Sequence, residues 1–286
     1  MNARLVAAQT WAITRLSMRR ARASRVFWGP AFLAAAPLAL LALVVTVIAW
    51  QSGFAFAEPL PKTGDYPMAS DTRDLVARFV VGGAYVRFSV IFSAIFFGIT
   101  AVREEVDNQT LHYMLLQPTP RWTIMVGKYL GFVLATAPLM VAGVLLAHAI
   151  VLVPYGPRAA LGELASGARW LEAIRQCLVV VGALAVWSAF FLLVGTVLKN
   201  LFFALVLYGW ETALQFLPPS LKQFTLGHYI QSFLPVIPGE SPDSISFVAE
   251  TPSAWLSLVV LGTVMALSLG VSCIVMGYKE CMYGGT

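Results

Sequence analysis

VREEVDNQTLHYMLLQPTPRWTIMVGKYLG, Val102–Gly131, is a long polar stretch set between two runs of membrane-grade hydrophobicity. Arg103, Glu104, Glu105 and Asp107 follow directly on the apolar run Phe88–Ala101. Then comes TLHYMLLQPTPR, where helical spacing puts Leu111, Met114 and Leu115 on one face. Pro118 and Pro120 stop that helix, because each lacks a backbone donor and disfavours helix in the residue before it. The reading is a short amphipathic helix under the membrane, with acids leading in and Arg121 leading out. A chain that only had to cross back would need no more than a tight polar turn; a helix there points to a docking surface.

The rest of the chain agrees with a membrane setting. Of 286 residues, 59% are hydrophobic and only 12% charged, with a mean hydropathy of +0.78. A soluble domain is roughly 45–50% apolar and about 25% charged. The predicted fold class is an all-α polytopic membrane protein with six transmembrane helices. The spans run Pro30–Trp50, Arg78–Ala101, Trp122–Val153 (interrupted by Pro138), Cys177–Leu198, Leu201–Leu217 and Ser253–Gly277. Ala159–Gln176 reads as an amphipathic entry to the fourth. Residues 1–29 read as a cytoplasmic amphipathic interfacial helix, with Arg4, Arg15, Arg19 and Arg22 on one side and Leu5, Ile13 and Leu16 on another. Residues 30–277 form the six-span domain, with an inner segment at 102–121 and an outer loop at 218–252; 278–286 is a cytoplasmic tail. LKQFTLGHYIQSFLP, within the outer loop, is too short to span and reads as a re-entrant or surface hairpin.

Orientation follows from the first tail, which holds six arginines and no acid before Glu58. Both termini are therefore expected in the cytoplasm, in a multi-pass protein of the cell inner membrane. Ala55-Phe56-Ala57 resembles a signal-peptide cleavage site, but the segment before it is too long for one. The net charge of +5 does not point to nucleic acid. Trp28, Trp50, Trp122, Trp170 and Trp255 fall at span ends, as an aromatic belt does.

Candidate chemistry is sparse. Gly127-Lys128 looks like the end of a P-loop, but Trp122 and Tyr129 stand where that motif needs Gly and Ser or Thr. No nucleotide-binding motif is present, so the chain is not expected to be an enzyme. His112 falls on the inner side, His148 and His228 on the outer, and Cys177, Cys273 and Cys281 have no metal-type spacing. No metal or cofactor is expected in this chain. Arg87 and Glu211 lie at matching depth in spans two and five. A charge at membrane depth costs at least ~2.5 kcal/mol near a span centre, so the two are expected to pair or share a polar cavity.

With these residues in place, Glu104–Leu130 resembles the permease subunits of type-2 ABC exporters, the group that includes the nitrous-oxide-reductase maturation permease. Those permeases carry acids, a Thr-Leu, an apolar pair, a Pro, an Arg and a Gly-Lys entering the third span. Here they are Glu104, Glu105 and Asp107, Thr110-Leu111, Leu115-Leu116, Pro118, Arg121 and Gly127-Lys128; Gln109 stands where the family has Gly. The six-span layout is similar as well. The resemblance implies a homodimer of permeases, each docking a cytosolic ABC ATPase subunit that supplies ATP and Mg. The helix Thr110–Gln117 would couple the two, with the acids meeting basic groups and Leu111, Leu115 and Leu116 as apolar anchors. Arg121 and Lys128 would hold the loop end or contact lipid headgroups at the inner interface. Two rivals stay open: a membrane anchor coupling an ATPase to a periplasmic partner, and a self-contained secondary transporter, which would more commonly show paired broken spans.

Overall fold

The computed structural model describes residues 3–23, 28–51, 76–107, 120–153, 162, 168–198, 201–214, 222–234 and 252–283. Among them every regular element is helical. In chain order these are α1 (Ala3–Ala23), α2 (Trp28–Gln51), a π-helical segment (Val76–Ser89) running straight into α3 (Val90–Asp107), and α4 (Arg121–Ile150). There follow α5 (Ala168–Val197), α6 (Leu201–Leu214), α7 (Leu226–Gln231) and α8 (Ala254–Tyr283).

Among the described residues, five stretches are long and apolar enough to cross a membrane: Trp28–Val47, Val80–Gly98, Trp122–Ile150, Trp170–Val197 and Ala254–Tyr278. The sequence predicts six. The remaining expected span, Leu201–Leu217, is described over its first 14 residues as α6, and 215–217 lie outside the described residues. One correction concerns Ala159–Gln176. Its last nine residues are not a separate amphipathic entry but the first turns of α5.

Helix α5 is the central post, packing against α3, α4, α8, α6 and the π segment. Lipid tails are as apolar as leucine, so helices in a bilayer associate through close packing and interhelical hydrogen bonds. Close packing is visible on the α3–α5 seam. A Cβ on Gly98 would fall on the Phe191 carbonyl, so only glycine lets the backbones approach this far. Phe97 stacks on Phe132 of α4 at 4.0 Å, and Trp187 on Phe191 at 5.6 Å. Ile95, Met125, Met140, Leu184 and Leu192 fill the space between and are fully buried.

The outside is equally apolar. Phe32, Leu40 and Leu43 on α2, and Leu258, Leu267 and Ile274 on α8, are all exposed. A protein in water rarely shows so continuous an apolar surface; a bilayer supplies its match. All five end-of-span tryptophans, Trp28, Trp50, Trp122, Trp170 and Trp255, are exposed too, as headgroup-level anchors are. The fold is that of a helical membrane protein.

The sequence reads residues 1–29 as an interfacial helix, and the structure adds a protein partner to it. Thr10 and Ile13 of α1 meet Gly127, and Thr14 and Ser17 meet Gly131. Four residues forward on one helix match four on the other, so α1 runs parallel to the start of α4. One side of it is committed to protein.

Candidate functional site

The C-terminal end of α3 and the N-terminal end of α4 frame the segment on which the sequence reading turns. Glu104, Glu105 and Asp107 lie in the last turns of α3, and Arg121 opens α4. Thr110, Leu111, Leu115, Leu116 and Pro118 lie outside the described residues. The apolar run of this span ends at Ala101, and the helix continues to Asp107. At 1.5 Å per residue the acids are carried about 5 to 9 Å past it. On the return side, Pro120 precedes the first turn of α4, a site where a missing N–H is harmless. Thr123 donates from both its N–H and its hydroxyl to the Pro120 carbonyl, at 3.0 and 2.5 Å.

The packing of α1 stiffens this return. A Cβ at Gly127 would stand 2.7 Å from Ile13 Cγ2, and one at Gly131 2.7 Å from Ser17 Cβ and 3.0 Å from the Thr14 carbonyl. Thr10 and Thr14 turn their hydroxyls back onto the carbonyls of Val6 and Thr10, each at 2.8 Å, so they need no partner on α4. Lys128, between the two glycines, is buried at 7% exposure. Gly127 and Lys128 thus sit in a helix–helix seam. The sequence reading missed this role for the glycines, although Gly127-x-x-x-Gly131 is the small-x-x-x-small spacing that lets membrane helices touch.

A second polar group lies in span two. Pro37 cannot donate to the Leu33 carbonyl, and Ser89 Oγ donates to it instead at 2.6 Å. Tyr85 donates to the next carbonyl, Ala34, at 2.7 Å. Both side chains are completely buried, and Tyr85 is wedged against Gly143, where a Cβ would strike its hydroxyl. This junction joins α2, the π segment and α4. Two hydroxyl residues four apart in an apolar span were the available sequence signal.

Arg87 and Glu211 are brought to the same region, but no ion pair joins them. The Glu211 carboxylate accepts from the Gly227 N–H at 2.7 Å, tying α6 to the start of α7. Tyr208, one turn earlier on α6, donates to the Arg87 carbonyl at 3.3 Å. Helix α6 therefore links span two to α7 through main-chain groups, and the Arg87 side chain is exposed. Thr225 caps α7, accepting from the His228 N–H at 3.3 Å. Burial, then the positive charge of Lys222, hold the His228 imidazole below its ordinary pKa.

A third polar chain closes the far end of the bundle. His148 Nε2 and Gln176 Oε1 are 3.0 Å apart, and Gln176 Nε2 donates to Glu172 Oε1 at 2.9 Å. His148 and Gln176 are buried. The sequence reading set His148 near the outer end of span three and gave Gln176 no role beyond closing an amphipathic entry; here they bridge α4 and α5. His228 lies apart on α7, and the described residues contain no group of three or more His, Cys, Asp or Glu placed to hold a metal. Cys177 and Cys273 are free thiols.

No protein-family model matches this sequence, and no curated protein matches it either.

Proposed function

We propose that the chain is the permease subunit of a type-2 ABC exporter, moving a substrate across or out of the inner membrane with ATP hydrolysed by a separate subunit. One observation carries this reading: the acids of Val102–Asp107 ride on a continuous helix that overshoots the apolar part of its span, and the chain returns into a helix clamped by α1. That arrangement suits a lever, since force applied to residues 108–119 reaches two braced helices. With both termini cytoplasmic, the lever faces the cytosol. The motif residues Thr110, Leu111, Leu115, Leu116, Pro118 and Arg121 supply the contact, the acids steer a basic partner surface, and the apolar trio anchors it. Two copies of the chain and two ATPases, with ATP and Mg bound by the latter, complete the assembly. The absence of a P-loop supports an external motor.

The test is coupled ATPase activity in membranes carrying the chain and its ATPase. Glu105→Lys and Leu115→Asp are expected to abolish permease-dependent stimulation, a loss of at least roughly tenfold for an anchor worth about 2 kcal/mol, with membrane insertion unchanged. Normal co-purification and stimulation in both variants, or a reagent reaching His112→Cys from outside the cell, overturns the proposal.

A further inference from the structure

Between α5 and α8 a groove of about 590 Å³ runs down the side of the bundle, roofed by Ile230 and Phe233 near α7. Its walls are apolar: Leu178, Val186, Leu258 and Leu261 are among them. Its floor is opened by glycine. A Cβ on Gly182 or on Gly262 would meet nothing within 4 Å, so these glycines do not serve helix contact as Gly98, Gly127 and Gly131 do. They leave space.

Among the described residues, one charged side chain lines the groove, Arg175. It is exposed and lies near the N-terminal end of α5, little more than a turn beyond the exposed Trp170 that marks headgroup level. A guanidinium here reaches the interface along its own stem. Glu172, one turn back, is engaged with Gln176 Nε2, and no ion pair joins Arg175 to any described acid. The groove therefore combines an apolar trough, of a size ordinary for a ligand site, with one cation at its mouth that no described acid answers.

We propose that this groove binds a single anionic glycerophospholipid, one acyl chain along Gly182 and Gly262 and the phosphate against Arg175. Charge selects this occupant. A neutral sterol or triglyceride leaves the cation unanswered, and a helix from another protein would have to bring an acid to one position at its end. A phospholipid places its anion at headgroup depth wherever its chain lies. The site is independent of the ATPase partner: it sits on α5 and α8, away from the inner ends of α3 and α4.

The experiment titrates dioleoyl phosphatidylglycerol, and separately dioleoyl phosphatidylcholine, into the delipidated full-length protein and counts bound lipid by native mass spectrometry. Wild type is expected to retain one phosphatidylglycerol per chain in preference to phosphatidylcholine. Gly182→Leu and Gly262→Leu fill the trough and are expected to weaken retention roughly tenfold. Arg175→Gln, at an exposed position that leaves folding intact, is expected to bring the two lipids level, removing a preference of about fivefold. Retention unaltered by the filling variants, equal binding of both lipids to wild type, or a disulfide between two chains through Leu258→Cys overturns the proposal. If either leucine variant fails to fold, the lipid preference of Arg175→Gln decides alone.

Discussion

Pro37 leaves the Leu33 carbonyl without its helical donor, and Ser89 Oγ takes the donor's place at 2.6 Å. An unsatisfied carbonyl in hydrocarbon costs several kcal/mol, whereas an interhelical hydrogen bond in a membrane contributes about 0.6 kcal/mol on average. The hydroxyl matters because the alternative is worse, and that gives a coupled prediction. Ser89→Ala is expected to cost about 1 kcal/mol in the native background and close to nothing after Pro37→Ala, which restores the helical donor. Denaturant titration of the four proteins measures the cycle; equal costs in both backgrounds would remove Pro37 as the reason for Ser89. His228 offers a pH-dependent counterpart. Its folded pKa lies below the unfolded value of about 6.5, so folding favours the neutral ring. The associated stability is present above that value and is lost as pH falls through the window beneath it. Thermal unfolding between about pH 7 and pH 5 is expected to drop further for wild type than for His228→Gln.

At the scale of the element, the glycines sort the helices into those that touch and those that stand apart. Gly131→Leu would drive a side chain into Ser17 and the Thr14 carbonyl. Overpacking of this kind costs about 1–3 kcal/mol, and separating α1 from α4 is expected to make the α1–α2 junction accessible to protease. Unchanged proteolysis would mean that α1 is held by other contacts. Much of this level was legible beforehand. The apolar runs gave α2, α4, α8 and the end of α5 to within several residues, because a run of some twenty apolar residues has few alternatives. What was not legible came from neighbours distant in sequence. Basic residues and an apolar face in α1 read as a helix on lipid, and nothing within residues 1–29 names Gly127 as its partner. Glu211 read as a charge seeking a charge, while a backbone N–H sixteen residues on satisfied it.

For the whole molecule, the described helices form one bundle around α5, apolar inside and out, with polar joints at Pro37, at the start of α7 and at His148–Gln176 among its buried polar groups. Each joint ties a helix to main chain or to a second polar side chain. The helical continuation to Asp107 was not legible in the sequence, since hydropathy alone marks where apolar residues stop and not where helix does.

The pairing of α1 with α4 also bears on how the chain is made. Ser17 leaves the ribosome more than a hundred residues before Gly131, a delay of roughly ten seconds at bacterial and eukaryotic synthesis rates. For that interval the first helix has no glycine seam to enter, and the headgroup layer, to which its arginines are drawn, is its natural waiting room. Biogenesis would then proceed in two stages, with the leading helix parked on the lipid surface and later handed over to the third crossing as it inserts.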